Sequence, residues 1–329
     1  MRTPEFWFKN KSLYKYFLFP LTFFWKTGFY LKKKISKHEI FPIPIICIGN
    51  IIMGGGGKTP LAMAIAKDFK KIGKKVHIIY KAFNTRLNNK ALEVKKNTSP
   101  NIVGDEPILA SSVTRTWISN RRRDSIECAM KNQADLILLD DGFQDFSIKK
   151  DFSLLTINNL QGFGNGFLFP SGPLREEIKK GLERANCIFF YGNKKTFNKL
   201  VPNYKKPVFF VKTKANKKKL SELYNKKYLA FAGIAHPNNF FDILKSNKVK
   251  VIKKYYFSDH KKYNDKELER IIKEAEKRNL HIITTEKDYV KIPKKYKKKV
   301  NFFPIEIEYD SKQFIKLLEK ENICSLLKK

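Results

Sequence analysis

Short runs of consecutive apolar residues alternate along the first part of the chain with segments whose apolar positions recur every three or four residues. The continuous runs are typical of strands that are buried on both faces of a sheet. They lie at 44–48, 76–79, 136–139, 154–157, 187–190 and 208–211. Helical spacing is found between these runs, at 58–72 and 123–133. The alternation predicts a parallel sheet with helices on both of its faces.

The same kind of pattern begins again after the lysine-rich stretch 212–219, which we interpret as a linker between two domains. A helix from Asp265 is preceded by Asn264 and carries Glu267, a pair typical of a capping box, and Asp310 opens a final helix. Further strands are predicted at 228–232, within 249–257 and at 281–284. We therefore expect a second, smaller α/β domain, and a chain of 329 residues is long enough for two domains.

The segment from Tyr14 to Tyr30 is rich in aromatic residues and is followed by lysines at 32–34. Its apolar run at 17–25 is about half of the roughly 20 residues that a spanning helix needs. Lysines also stand where a signal peptide would have a small-residue cleavage site. The pattern favours an interfacial helix whose aromatic residues enter the headgroup region of an anionic membrane surface. The alternative is an ordinary first helix that packs on the domain core.

Four glycines at 54–57 are followed by Lys58 and Thr59. This run lies between the predicted strand at 44–48 and the predicted helix at 58–72. This order is that of a P-loop, whose backbone N–H groups turn towards phosphates at the positive end of a helix. We expect Lys58 to reach the β- and γ-phosphates of ATP and to act in catalysis, and Thr59 to bind Mg²⁺. The strict pattern has a glycine where this chain has Ile52, so the loop resembles a G-G-x-G-K-T variant. The predicted ATP-binding residues are Ile52, Met53, Gly54, Gly55, Gly56, Gly57, Lys58 and Thr59.

Two aspartates, Asp140 and Asp141, come directly after the buried strand at 136–139. An acidic residue at the end of such a strand is the usual metal-side partner of a P-loop, and carboxylates are ligands that Mg²⁺ prefers. The alternative is that both residues only form a turn. Together with Thr59, the pair predicts a magnesium site.

The net charge of +36 is compatible with binding to nucleic acid, anionic lipid or phosphorylated substrates. The lysines are spread along the whole chain, however, and neither a zinc-finger spacing nor an aromatic RNA-binding motif is present. We therefore expect no nucleic-acid partner, and no obligate protein partner is evident. The four cysteines contain no C-x-x-C pair, which argues against a zinc site or a disulfide framework and fits a reducing compartment.

Several short motifs occur along the chain in the order seen in one enzyme family. They are Gly49-Asn50, GGGGKTP at 54–60, GDEP at 104–107, NRR at 120–122, DDGFQ at 140–144, GFGNG at 162–166, PSGPLRE at 170–176, AFAGI at 230–234, Asp259-His260 and TEKD at 285–288. Taken together they resemble the tetraacyldisaccharide 4′-kinases of lipid A biosynthesis, over nearly the whole chain.

This resemblance implies transfer of the γ-phosphoryl group of ATP to the 4′-hydroxyl of a tetraacylated disaccharide 1-phosphate. It also implies a peripheral or monotopic enzyme at the cytoplasmic face of the inner membrane. The expected fold is α/β. It comprises a membrane-associated N-terminal helix at 1–35, a P-loop NTPase-like parallel-sheet domain at 36–213, and a smaller α/β domain at 214–329 that closes over the nucleotide. The alternative is a P-loop ATPase or GTPase that acts on another substrate or on a protein partner.

The resemblance also assigns roles to residues outside the P-loop. Asp105 aligns with the proposed catalytic base of the family, and His260 aligns with the histidine that supports it. Glu106 is a candidate second carboxylate on the metal side. Arg175 is a candidate contact to a substrate phosphate, since a guanidinium group matches phosphate geometry; a surface ion pair is the alternative. Asp145 stands where the family usually has histidine, so the role of that side chain is open.

Overall fold

The computed structural model describes residues 4–9, 12–82, 90–259 and 261–323. Backbone contacts divide the chain into two compact units. The larger unit consists of Thr3–Lys96, Ala110–Lys212 and the chain from Ile307, and the smaller unit of Asn97–Leu109 and Thr213–Glu306. Three segments thus group differently from the predicted domains: the N-terminal helix and the chain from Ile307 belong to the larger unit, and 97–109 belongs to the smaller one.

Thirteen strands lie in the part of the chain that the structure describes, and they form two sheets. They are β1 (Ile45–Gly49), β2 (Val76–Lys81), β3 (Leu92–Val94), β4 (Thr116–Ser119), β5 (Leu136–Asp140), β6 (Phe152–Asn158), β7 (Cys187–Tyr191), β8 (Val208–Ala215), β9 (Lys227–Ala232), β10 (Lys250–Tyr256), β11 (His281–Thr285), β12 (Val300–Phe303) and β13 (Ile305–Glu308).

The larger sheet has the strand order β13-β8-β7-β6-β1-β5-β2-β4-β3, and the smaller sheet the order β10-β9-β11-β12. The pairs from β8 to β4 are parallel and β3 is antiparallel to β4. All three pairs of the smaller sheet are parallel. The predicted α/β fold with a parallel main sheet is confirmed. Every residue of β1 and β5 is buried, as expected for strands at the centre of a sheet that is covered on both faces.

Thirteen α-helices connect these strands in the described residues. They are α1 (Tyr14–Phe17), α2 (Phe19–Ile35), α3 (Lys58–Lys71), α4 (Pro100–Val103), α5 (Asp105–Ser111), α6 (Arg122–Lys131), α7 (Ile178–Arg184), α8 (Lys194–Leu200), α9 (Lys217–Ser221), α10 (Pro237–Ser246), α11 (Asp265–Lys277), α12 (Glu286–Tyr289) and α13 (Ser311–Lys320). The predicted capping box of α11 is present, because the backbone N–H of Glu267 donates to Asn264 and the backbone N–H of Asn264 donates to Glu267.

The stretch 212–219, predicted as a linker, contains the boundary between the two units at Lys212 and Thr213, but most of it has regular secondary structure. Strand β8 continues to Ala215, and α9 begins at Lys217. The side chains from Lys212 to Lys214 are exposed, so the hydrophobic pattern ends while the strand itself continues. The last helix, α13, belongs to the larger unit because the Phe314 ring packs against the rings of Phe152 and Phe189, at centroid distances of 6.2 and 5.1 Å.

The aromatic N-terminal segment forms α2, as predicted, and one side of this helix contacts the larger unit. The Trp25 indole N–H donates to the Arg175 carbonyl oxygen at 2.9 Å, and Lys26 pairs with Glu177 at 2.5 Å. Phe17, just before this helix, and Phe24 within it expose 82% and 72% of their surface. Among the described residues, no helix combines the length and apolar character that a membrane span requires.

Candidate functional site

The position of the glycine loop follows from the order of the central strands. Strands β1 and β5 are parallel neighbours in which Ile48 lies opposite Asp140. Their carboxyl ends therefore meet at one edge of the sheet, so the glycine loop after β1 reaches the aspartates after β5. The Thr59 hydroxyl, in the first turn of α3, donates to Asp140 Oδ2 at 2.6 Å, and both side chains are buried.

The shape of the loop requires glycine at its last position. Gly57 has a φ of 76°, a left-handed conformation that favours glycine. A Cβ atom at Gly57 would lie 2.5 Å from the ring of Tyr191, whose hydroxyl donates to the Gly57 carbonyl oxygen at 2.7 Å. Tyr191 thus supports the loop from the end of β7, and α3 begins directly after Gly57.

Ile52 and Met53 anchor the base of the loop. The Ile52 side chain packs in the hydrophobic core and its backbone pairs with Leu174. The Met53 N–H donates to the Pro173 carbonyl oxygen at 2.7 Å, and the Arg175 N–H donates to the Ile51 carbonyl oxygen at 2.8 Å. The side chain of Ile52 is therefore turned into the core, and the Met53 N–H already has a partner within the protein.

Asp141 lies between two cations. Its carboxylate receives two hydrogen bonds from Arg175, at 2.7 and 3.1 Å, and lies 3.7 Å from Lys58 Nζ. Burial would raise the pKa of Asp141, but the charges of Lys58 and Arg175 outweigh this effect and lower it to about 2. Arg175 is thus part of a partly buried, bidentate ion pair, and a phosphate group that binds to Arg175 must compete with Asp141.

A further network next to this pair was not predicted. The Gln144 side-chain amide donates to the Asn50 carbonyl oxygen at 2.8 Å and to Glu176 at 2.9 Å, and its oxygen accepts from Arg175 at 3.1 Å. Glu176 is buried and pairs with Arg184 at 2.7 Å. Gln144 and Glu176 both lie within motifs that carried the family resemblance, which was the available signal, but their partners come from distant parts of the chain.

Arg122 holds the backbone of the two aspartates and was also missed. Its guanidinium group donates to the carbonyl oxygens of Asp140 and Asp141, at 3.0 and 2.9 Å, and to Asp145 Oδ2 at 2.6 Å. Burial would raise the pKa of Asp145, but the Arg122 charge and hydrogen bonds from Ser147 outweigh it and hold that pKa well below its usual range. The residue that departs from the family pattern is therefore the counter-ion of a buried arginine.

The candidate base belongs to the smaller unit. Asp105 is the first residue of α5, and Glu106 follows it. Lys287 Nζ lies 3.8 Å from Asp105, 3.4 Å from Glu106 and 3.5 Å from Asp259. Burial would lower the pKa of Lys287, but the three carboxylates raise it overall. His260, the predicted partner of Asp105, lies outside the described residues.

The Thr59–Asp140 pair fits a magnesium ion by the chemistry of its donors. A hydroxyl and a carboxylate supply oxygen ligands, and Mg²⁺ usually takes only one or two protein carboxylates besides water and substrate phosphates. Within the described part of the chain, no group of three or more His, Cys, Asp or Glu side chains could hold a metal ion by itself. Glu106 lies in the smaller unit, so its assignment to the metal site stays a prediction.

Comparison with known proteins gives a consistent result. The family model described as tetraacyldisaccharide-1-P 4′-kinase matches residues 14–322. The tetraacyldisaccharide 4′-kinase of Bartonella tribocorum is 31% identical over 334 residues, covering 99% of this chain and 95% of that protein. The enzyme of the same name from Paramagnetospirillum magneticum is 31% identical and covers 94% and 95%.

A crystal structure of LpxK from Aquifex aeolicus in complex with ATP has a similar fold. It matches with a TM-score of 0.73 and 23% sequence identity, over 93% of this chain and 99% of that chain. The likeness extends over nearly the whole length of both chains.

Proposed function

The chain belongs to the tetraacyldisaccharide-1-P 4′-kinase family, and we propose that it transfers the γ-phosphoryl group of ATP to the 4′-hydroxyl of a tetraacylated disaccharide 1-phosphate. One observation supports ATP as the phosphoryl donor. The Thr59 hydroxyl lies 2.6 Å from Asp140, directly beside a glycine loop that is followed by Lys58. Strand, loop and helix occur here in the order that ATP-binding P-loops require.

The reaction forms one bond and breaks one bond. The oxygen of the 4′-hydroxyl bonds to the γ-phosphorus, and the bond from that phosphorus to the β,γ-bridging oxygen breaks, which releases ADP. The hydroxyl proton passes to the Asp105 carboxylate, with His260 as the supporting group. Lys58 offsets the negative charge that collects on the phosphates during transfer.

Thr59, Asp140 and Asp141 lie at the edge of the larger sheet that carries the glycine loop. Thr59 and Asp140 would hold Mg²⁺, with Asp141 and Glu106 as further candidate ligands, and the ion would supply positive charge to the polyphosphate. Asp141 remains ionised because its pKa is lowered to about 2. Arg175 binds a phosphate of the substrate. Its bidentate hydrogen bonds to Asp141 have a geometry that also suits two phosphate oxygens.

The N-terminal segment attaches the enzyme to an anionic membrane surface as a peripheral or monotopic protein, at the cytoplasmic face of the inner membrane. Exposed aromatic rings such as those of Phe17 and Phe24 support this proposal, together with the lysines at 32–34. We expect the double variant Phe17→Ser/Phe24→Ser to lose co-sedimentation with anionic vesicles. Trp25 is retained in this variant, so the contact of α2 with Arg175 is preserved; unchanged sedimentation would refute the anchor.

The central test is a transfer assay. The purified chain is incubated with ATP labelled at the γ-phosphate and with tetraacyldisaccharide 1-phosphate in detergent micelles, and the lipid product is separated. We expect a phosphorylated lipid with the wild type and with Lys67→Ala, and none with Lys58→Ala. Lys67 is an exposed lysine on the same helix and serves as the matched control. ATP hydrolysis without a labelled lipid would favour an ATPase that acts on another substrate.

A further inference from the structure

Lys287 of the smaller unit lies among three carboxylates. Its ammonium group is within 4 Å of Asp105, Glu106 and Asp259, at 3.8, 3.4 and 3.5 Å, and only 22% of its side chain is exposed. The three acids come from two parts of the chain, since Asp105 and Glu106 begin α5 and Asp259 directly precedes His260 in sequence. A single lysine therefore links α5 to that segment.

The backbone that carries Lys287 is held independently of these acids. The next residue, Asp288, is fully buried and accepts hydrogen bonds from the Gly233 N–H at 2.9 Å, the Thr285 hydroxyl at 2.7 Å and the Tyr263 hydroxyl at 2.9 Å. It also pairs with Lys291 at 2.6 Å. A buried carboxylate with this many donors is firmly placed, so the short helix α12 gives the Lys287 side chain a fixed origin.

The positive charge of Lys287 affects the positions of the three carboxylates around it. Three carboxylates this close to one another repel, and a shared cation within 4 Å offsets the repulsion. Without the ammonium group, this repulsion would turn Asp105 and Glu106 away from each other. The change would move the oxygen that must accept the proton of the acceptor hydroxyl.

We infer that Lys287 is a positioning residue of the phosphoryl transfer, because it holds the Asp105 carboxylate in place beside Glu106 and Asp259. The inference rests on the proposed function, in which Asp105 is the base. A displaced base slows the chemical step and leaves ATP binding largely intact, because the glycine loop supplies the proposed phosphate contacts and Thr59 and Asp140 supply the main proposed metal contacts. We therefore expect a fall in kcat with little change in the KM for ATP.

The test compares Lys287→Met and Lys287→Arg in the lipid phosphorylation assay. Displacement of a catalytic group by about 1 Å can cost about 100-fold in rate, so we expect a loss of that size in kcat for Lys287→Met. Lys287→Arg retains the charge and should recover a large part of that loss. Lys295→Met is the matched control, because Lys295 forms an exposed ion pair with Asp265 in the same unit; it should behave as wild type.

Each other result has a defined meaning. An unchanged kcat in Lys287→Met overturns the inference, and so does a rise in the KM for ATP at constant kcat, which would indicate a direct phosphate contact. The inference is also overturned if Lys287→Met loses activity only in proportion to its loss of folded protein and Lys287→Arg does not recover activity. If Lys287→Met does not fold, the variant Lys287→Met/Asp259→Asn removes one negative charge with the ammonium group, and the same kcat loss is expected. Absence of lipid product with the wild type would instead refute the proposed function.

Discussion

The carboxylates near the glycine loop and those of the smaller unit are held by different kinds of contact. In the larger unit Asp140 accepts a hydrogen bond from Thr59, Asp141 pairs with Lys58 and Arg175, and Asp145 pairs with Arg122 and more distantly with Lys81. In the smaller unit Lys287 is shared by three acids. In the first arrangement separate contacts hold the acids, whereas in the second a single ammonium group lies within 4 Å of all three. The separate contacts of the larger unit suit its proposed role as a rigid phosphate site, and the shared lysine of the smaller unit suits its proposed role in carrying the base.

The largest effect is expected at the Thr59–Asp140 pair. Asp140→Asn removes the charge that would hold the proposed metal ion beside the Thr59 hydroxyl, and loss of such an electrostatic contact costs about 1,000-fold in kcat. The measurement is the rate of lipid phosphorylation at saturating ATP. Asp135→Asn, at the opposite end of β5, is the control and should retain activity. Activity of Asp140→Asn near that of the control would show that the pair does not serve the donor site.

The second test removes the ion pair between Arg122 and Asp145 in the larger unit. Arg122→Met leaves Asp145 as a buried charge without its arginine, and removal of one partner of a buried ion pair costs about 3 kcal/mol. Unfolding in urea, followed by circular dichroism, measures this loss. The double variant Arg122→Met/Asp145→Asn should be more stable than Arg122→Met, because it removes a mostly buried charge that would keep only the more distant Lys81 as its ion-pair partner. Equal stability of the two variants would mean that Asp145 is not the counter-ion of Arg122.

The third test uses pH. The pKa of Asp141 is lowered to about 2 in the folded protein, below an unfolded value of about 3.9. A lowered folded-state pKa contributes stability that is fully present above the unfolded value and is lost as pH falls through the folded value. The free energy of unfolding of Asp141→Asn should therefore be lower than that of the wild type by about 2 kcal/mol at pH 7. This gap should shrink between about pH 4 and pH 2; a gap that stays constant with pH would contradict the pairing.

The smallest effect is expected at the contact between α2 and Arg175. Trp25→Phe removes an indole N–H that donates to the Arg175 carbonyl oxygen. A hydrogen bond of this kind contributes about 1 kcal/mol. We expect about a fivefold rise in the KM for the lipid, because Arg175 is the proposed phosphate contact, and an unchanged KM for ATP. Thr27→Ser, at an exposed position of the same helix, is the control. A change in the KM for ATP alone would place the effect on the glycine loop instead.

The strands and the glycine loop could be predicted because their signals are local. Continuous apolar residues identify the buried strands β1 and β5, and the order of strand, glycines, Lys58 and Thr59 identifies the loop. The end of β8 could not be predicted in this way. The strand continues through Lys212 and Lys214, whose side chains are exposed, and a strand with exposed polar side chains leaves no mark in a hydrophobic pattern.

The support of the donor site could not be predicted for a different reason. Arg122 contacts the backbone of Asp140 and Asp141 and the side chain of Asp145, and Tyr191 supports Gly57 across 134 positions of the chain. Each of these contacts depends on which strands are neighbours in the sheet. The motif at 120–122 showed that Arg122 belongs to a recurring pattern, but the identity of its partners required the fold.

By itself, the sequence determined the α/β class, the likeness to one kinase family and the candidate donor residues Lys58, Thr59, Asp140 and Asp141. These follow from periodicity, from glycine content and from the order of short motifs. Only the tertiary structure decided how charges are shared: Arg175 with Asp141, Arg122 with Asp145, and Lys287 with the acids around it. The physical reason is that electrostatic pairing depends on distance and burial, and residues far apart in the chain acquire both only when the sheet has formed.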